Sequence, residues 1–170
     1  MSENFKMIAK TFYGFEDILS EELLALGAQK INKGNRNVSF YGDKGFLYKS
    51  NLSLRTALKI LKPVCEFRFK DINEYYDNIY SFKWEDYIDP TGSFLINSVV
   101  FHSNVFNNSK FTSLKAKDAI VDRIRDKFKK RPSINSFNPE LKIEIHINRN
   151  ICTISFDSSG ESLHKRGYKK

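Results

Sequence analysis

The chain reads as an α+β protein built of two units. Three observations carry that reading. Alternating apolar runs of strand length interleave with stretches at helical spacing across 170 residues. The first 69 residues order as strand-helix-strand-strand-helix-strand, and a second series of elements starts at Asp71. The net charge changes sign near Cys65 and again near Phe101.

Met7 to Tyr13 predicts a strand ending at Gly14, and Phe15 to Leu26 a helix with Phe15, Ile18, Leu19, Leu23 and Leu26 on one face. Glu16 and Asp17 suit its first turn, and Gly27 a left-handed C-terminal cap. Gln29–Asn32 and Val38–Tyr41 predict two short strands around a Lys33–Asn37 turn. Gly42 and Asp43 open a helical region in two parts, Lys44–Lys49 and Ser53–Leu61. Leu54, Leu58 and Leu61 give the second part an apolar face, and Pro63 ends it. Val64–Phe69 alternates as a strand. This order fits a ferredoxin-like antiparallel sheet with helices, over residues 1–69.

From Asp71 the pattern is a helix carrying Ile72, Tyr75, Tyr76, Ile79 and Phe82, then a short helix at Trp84–Ile88. A turn at Asp89–Gly92 leads to an apolar strand, Ser93–Phe101, and an Asn/Ser-rich loop, His102–Asn108. A long helix runs from Ser109 or Thr112 to Lys130, with Leu114, Val121, Ile124 and Phe128 as its buried face and Ile120 flanking. Strands Leu141–Ile147 and Ile151–Phe156 join through Asn148-Arg149-Asn150. The aromatic cluster Tyr75, Tyr76, Tyr80, Phe82, Trp84 and Tyr87 falls at helical spacing and reads as core.

The formal charge is +8, from 28 Lys plus Arg against 20 Asp plus Glu. Residues 65–101 carry −4 and residues 102–136 carry +6. A positive excess held on one stretch points to a polyanion partner. Lys110, Lys115, Lys117, Arg123, Arg125, Lys127, Lys129, Lys130 and Arg131 are offset there only by Asp118, Asp122 and Asp126. Two readings stand side by side. One is a cationic helix along a phosphate backbone, with loop amides meeting phosphate at the helix start. The other is a solvated face laced with ion pairs, Asp122 with Arg125 and Asp126 with Lys129 or Lys130.

Catalytic and metal chemistry find little support. Cys65 and Cys152 sit in apolar runs and read as buried reduced thiols of a cytoplasmic protein. Three histidines and two cysteines lack metal-ligand spacing, no Gly-rich phosphate loop occurs, and no apolar run approaches a membrane span. Asp157, Ser159 and His164 are close in sequence, but order alone makes no triad. The basic ending Leu163-His164-Lys165-Arg166-Gly167-Tyr168 combines cations for phosphate with a ring able to stack.

Several segments together resemble bacterial THUMP-containing RNA methyltransferases. They are Ala9-Lys10-Thr11-Phe12-Tyr13-Gly14-Phe15-Glu16-Asp17 with its following helix, Ser50-Asn51-Leu52-Ser53-Leu54-Arg55-Thr56-Ala57, Asn108-Ser109-Lys110 with Lys115-Ala116-Lys117-Asp118, and Asp157-Ser158-Ser159-Gly160 with Leu163 to Tyr168. The branch it most resembles methylates guanine N2 of large-subunit ribosomal RNA. The resemblance implies a ferredoxin-like domain at 1–69, an α/β THUMP domain at 70–163, and at 164–170 the start of a linker to a class I methyltransferase domain lying beyond this sequence. It implies S-adenosylmethionine as cofactor of that domain and none in this chain, and ribosomal RNA as partner. It implies RNA contacts from Asn108, Ser109, Lys110, Lys115 and Lys117, and from the junction residues His164, Arg166 and Tyr168. The charge pattern adds Arg123, Lys130, Arg131 and Lys165. Lys110 stands where close relatives carry Gln, which keeps a phosphate contact and loses the amide. Asp118 is expected to pair with Lys115. Competing classes are a scaffold module docking an acidic protein on the basic face, and a stand-alone enzyme built on Asp157 and His164.

Overall fold

The computed structural model describes residues 3–158. His164, Lys165, Arg166 and Tyr168 lie outside the described residues, as do Ser159 and Gly160. Two compact units emerge: one holds the chain through Pro63 together with the segment from Asp157, and the other is Val64–Phe156. The division falls within a strand.

The first unit contains β1 (Phe5–Lys10), α1 (Glu16–Leu26), β2 (Gln29–Gly34), β3 (Asn37–Gly42), α2 (Lys44–Ser53) and the first half of β4 (Lys59–Arg68). Its strands order β2-β3-β1-β4, each pair antiparallel. Alternation decides which face is buried. Met7 and Ala9 of β1 and Val38 and Phe40 of β3 point to one side, where they meet Leu19 and Leu23 of α1 and Leu47 of α2. Gly27 takes the expected left-handed cap at φ 102°, and the Asp43 carboxylate caps α2 by accepting from the Phe46 amide at 2.8 Å.

The expected helix over Ser53–Leu61 does not form. The chain leaves α2 at Ser53, and β4 begins at Lys59. The leucine spacing is overridden by Glu22 of α1, whose carboxylate accepts from the Arg55 and Thr56 amides at 3.0 and 3.1 Å and from the Thr56 hydroxyl. Bonded there, those amides do not carry α2 onward by bonding to carbonyls four residues back. Ile60 and Leu61 pair instead with Ala9 and Ile8 of β1. Pro63 sits inside β4, where its fixed φ and the extended residue before it suit a strand.

The second unit contains the rest of β4, α3 (Ile72–Ser81), a 3-10 turn (Trp84–Asp86), β5 (Ser93–Phe101), α4 (Ser109–Phe128), β6 (Ser133–Ile134), β7 (Leu141–Asn148) and β8 (Ile151–Asp157) up to Phe156. Strands order β4-β8-β7-β5-β6. β5 runs parallel to β6 and β7, while β7 and β8 form an antiparallel hairpin. The helix α4 makes the crossover between β5 and β7 that parallel pairing needs. The core joins Phe94, Ile96, Ile143, Ile145, Ile147, Cys152 and Ile154 of the sheet to Tyr75, Ile79, Ala116, Ala119, Ile120 and Ile124 of the helices.

The buried face of α4 is rotated from the expected one. Val121 and Ile124 are inside, but Leu114 and Phe128 are 48% and 43% exposed. The seam runs through Thr112, Ala116, Ala119, Ile120 and Arg123. Small residues there let α3 come close, so that buried Tyr75 donates its phenol to the Thr112 carbonyl at 2.9 Å. Of the six aromatics expected as core, Tyr75 and Trp84 are buried, and Tyr76, Tyr80, Phe82 and Tyr87 pack half-buried against it. Trp84 is wholly buried and donates Nε1–H to the Ile79 carbonyl at 2.7 Å.

Arg123 locks α4 to the 3-10 turn. Its guanidinium forks onto Glu85, Nε to Oε1 at 2.8 Å and Nη2 to Oε2 at 2.9 Å, and Nη1 donates to the Tyr80 carbonyl at 2.8 Å. Lys127 adds a longer contact to Glu85 at 3.5 Å. The guanidinium bonds hold the Glu85 carboxyl well down, at about 2 against an ordinary 4.5. A carboxyl lowered by folding stabilises fully above its unfolded value and loses that contribution as pH falls through the folded one. Glu85→Gln therefore costs about 2 kcal/mol at pH 7, somewhat below the 3–5 of a fully buried pair. Urea unfolding across pH should show a constant gap to wild type down to near pH 4.5, closing towards pH 2.

Candidate nucleic-acid interface

Most of the sequence-predicted site residues within the described region lie on α4 and at its two ends. Asn108 is the helix cap: its Oδ1 accepts from the Lys110 and Phe111 amides at 2.8 and 3.2 Å. Two of the amides expected to meet phosphate are thus already satisfied by the chain itself. Ser109 and Lys110 stand exposed on the first turn. Beside them a groove of about 480 Å³ is lined by Ser98, Val99, Val100, His102, Ser103, Phe106, Asn107 and Ser109. Ser103 shapes its loop by accepting from the Val105 and Phe106 amides. His102 takes a left-handed backbone, φ 53°.

Lys115 and Lys117 are half-buried along the middle of the helix. Lys117 and Arg131 both line a second groove of about 300 Å³, with Val121, Pro132, Ser133 and Ile134. The fold so brings together two cations separated by more than three helical turns of sequence. Lys130 and Arg131 are exposed at the far end of α4. A helix of 20 residues is about 30 Å long, so the Asn108–Lys110 cluster and the Lys130–Arg131 cluster occupy opposite ends.

Arg123 stands apart from the other expected contacts. It is 9% exposed and its donors serve Glu85 and Tyr80. Asp118 has its ion-pair contact with Lys117, Nζ to Oδ1 at 3.5 Å. Asp122 pairs with Arg125 at 2.9 Å, as its spacing predicts, and also accepts the Tyr76 phenol. Asp126 accepts the Tyr80 phenol at 2.6 Å, and Lys129 Nζ reaches its backbone carbonyl at 3.4 Å. The bond to Asp126 is the main reason the Tyr80 phenol is held above its usual range. Tyr76 and Tyr80 stack at 6.1 Å on α3, one helical turn apart, and face two carboxylates one turn apart on α4. Of the ion pairs anticipated on α4, Asp122 with Arg125 forms, whereas the Asp126 carboxylate takes the Tyr80 phenol and Lys129 reaches only its backbone carbonyl.

The groove residues His102, Ser103, Phe106 and Asn107 were not singled out by sequence reasoning, although the Asn/Ser richness of their loop was visible. Glu85 was also missed, because nothing local marks its partner 38 residues away. Among the described residues no group of three His, Cys, Asp or Glu could hold a metal. Also among them, no helix is long and apolar enough to cross a membrane. Cys65 and Cys152 are free, and burial pushes both thiols up.

Comparison with known proteins matches each unit separately. Residues 69–157 match the THUMP domain, and residues 6–61 match the RlmL ferredoxin-like domain. The chain is 36% identical over 169 residues to the ribosomal RNA large subunit methyltransferase K/L of Syntrophotalea carbinolica, covering 99% of this chain and 24% of that protein. Among solved structures, SMU.472 in complex with SAH shares 29% identity at a TM-score of 0.76, over all of this chain and 45% of its own. The predicted N6-adenine-specific DNA methylase of Listeria monocytogenes shares 26% identity at 0.75, over 98% and 43%. The chain thus spans about a quarter of the length of the curated relative and under half of the solved ones. With an α+β ferredoxin-like unit ahead of a mixed sheet crossed by a long basic helix, and with both units matched, the chain belongs to the THUMP-domain family and carries that domain behind an RlmL-type ferredoxin-like domain.

Proposed function

We propose that this chain binds ribosomal RNA in the cytoplasm and presents it to a methyltransferase domain acting in cis, in a protein of the large-subunit ribosomal RNA guanine-N2 methyltransferase type. The single observation that carries the reading is α4. Lys110, Lys130 and Arg131 are exposed at its ends and Lys115 and Lys117 are half-buried along it, while Asp122 and Asp126 are drawn onto the tyrosines of α3. The relatives' names supply the substrate class and the reaction. S-adenosylmethionine would be held by the catalytic domain, and no residue of this chain is assigned to it.

On this reading Lys110, Lys115, Lys117, Lys130 and Arg131 meet phosphates, and Ser109 and Asn108 fix the start of the helix against the backbone. Arg123 serves the fold. Specificity comes from RNA shape and unpaired segments, since an A-form major groove is too narrow to read. Affinity comes chiefly from counterion release and falls with salt.

Two measurements check this. Lys115→Glu/Lys117→Glu should weaken binding to a large-subunit ribosomal RNA fragment and lower the salt slope by about two. Unchanged binding would place the RNA elsewhere and leave the basic face to an acidic protein. Asn108→Ala should cost about 1 kcal/mol of stability through the lost cap, while Asn108→Asp keeps the cap and stability. Asn108→Asp should still weaken RNA binding several-fold, because it sets a carboxylate at the helix start. If it binds as wild type, the helix start is only a cap.

A further inference from the structure

The first unit carries an exposed aromatic turn that the basic helix does not explain. Phe12, Tyr13 and Phe15 between β1 and α1 are 60%, 74% and 42% exposed, with Ile18 of α1 beside them in sequence and also exposed. Three aromatics within four residues in water call for a cause. The turn is built. The Phe15 amide donates to the Phe12 carbonyl at 3.1 Å, and Gly14 holds φ 90°, the conformation that a type II turn needs at its third position. Tyr13 is thereby set at the tip. Phe12 and Phe15 contact edge to face, with centroids 6.1 Å apart.

What fixes the turn is a set of carboxylates bonded to backbone amides. Glu16 accepts from the Gly14 amide and the Arg36 amide, each at 2.9 Å, tying the β1–α1 turn to the β2–β3 turn. The Arg36 amide bond is the largest reason its carboxyl lies below the usual range. The Thr11 amide donates to the Arg36 carbonyl at 2.9 Å, and the buried Thr11 hydroxyl donates to the Thr56 carbonyl at 2.6 Å. Glu22 in turn binds the amides of Arg55 and Thr56. Three loops are therefore stapled together at one end of this unit. They place the exposed cations Arg36 and Arg55 on the two loops bonded to the base of the aromatic turn. Of the acids of this end, Glu16 and Glu22 take those amides and Asp17 takes Lys33 at 2.6 Å, while Glu21 is exposed and acts on the same Lys33.

Rigid, outward aromatic rings combined with cations whose neighbouring carboxylates are already bonded make a surface for unpaired nucleotides. Rings stack on bases and guanidiniums meet phosphates. Aromatic rings beside arginines also suit a protein interface, and the reading that the chain binds RNA decides between the two here. We propose that the turn Phe12-Tyr13-Gly14-Phe15, with Arg36 and Arg55, is a stacking site for unpaired RNA bases, separate from the phosphate-binding helix of the second unit. It rests on the reading that the chain binds RNA, and it adds what that helix lacks, a way to hold a single strand.

The test compares a single-stranded RNA of about twelve nucleotides carrying 2-aminopurine with a blunt RNA duplex, using the whole chain. Wild type should quench the single strand's fluorescence. Phe12→Ala/Tyr13→Ala should abolish the quench and weaken single-strand binding roughly tenfold or more, while duplex binding and the salt slope stay unchanged. Tyr13→Phe should behave as wild type. Both altered side chains are exposed, so the melting temperature should hold. Unchanged single-strand binding overturns the proposal and gives the patch to a protein partner, and an equal loss on the duplex overturns it by making the patch a contact to RNA of either form. Lys115→Glu/Lys117→Glu measured alongside separates the two readings. Its failure to alter duplex binding sinks the helix and leaves the turn standing, and a turn variant without effect sinks the turn alone.

Discussion

The second unit depends on the way α3 and α4 are held together. An acidic stretch and a basic stretch follow one another in the sequence, and folding sets them against each other. Arg123 enters the interface with its guanidinium forked onto Glu85, and Lys127 comes to the same carboxylate. Tyr76 and Tyr80 reach across to Asp122 and Asp126, and Tyr75 to the backbone of Thr112. Burying a guanidinium is costly unless it is paired, and here Nε and Nη2 donate to the carboxylate and Nη1 to a carbonyl. The interface fixes the rotation of α4, and that rotation decides which cations look outward. Part of the charge asymmetry visible in the sequence is thus spent on folding. The remainder is what an RNA backbone could meet.

The first unit uses acids differently. The carboxylates of Glu16 and Glu22 collect backbone amides from loops distant in sequence. A carboxylate offers two oxygens to donors that a loop cannot satisfy by itself. It therefore acts as a staple where no strand or helix ladder exists. The same staple explains why a leucine-spaced segment stays a loop. Three leucines at helical spacing offer a weak face, and two amides bonded to Glu22 cannot also carry α2 onward by bonding to carbonyls four residues back.

Local signals made most of the fold legible. Gly27, Asp43, Asp71 and the Asn148–Asn150 turn mark element ends by chemistry that acts within four residues, and each holds its place in the structure. Strand alternation from Leu141 to Phe156 is likewise local. What stayed hidden depended on partners far along the chain. The rotation of α4 follows from Ala116 and Ala119 meeting α3, which no periodicity within α4 reports. Arg123 reads in sequence as one cation among nine; only Glu85, 38 residues away, makes it a core residue. Lys117 and Arg131 share a groove because the chain turns at Pro132, which the sequence marks as a stop without saying where the chain goes.

The position of the larger groove follows from the topology. β5 runs parallel to β7, so the chain must cross over by α4 and begin that helix at the carboxyl end of β5. In sheets with parallel strands, the loops at that end are the ones free to vary, because the crossover rather than the ladder sets their path. Here the loop is His102–Asn108, and its residues line the groove with the first turn of α4. A basic helix, a polar loop and an adjoining recess are therefore not three independent features. They are consequences of one parallel crossover, and the cations only needed to be placed on a helix whose start the sheet had already located.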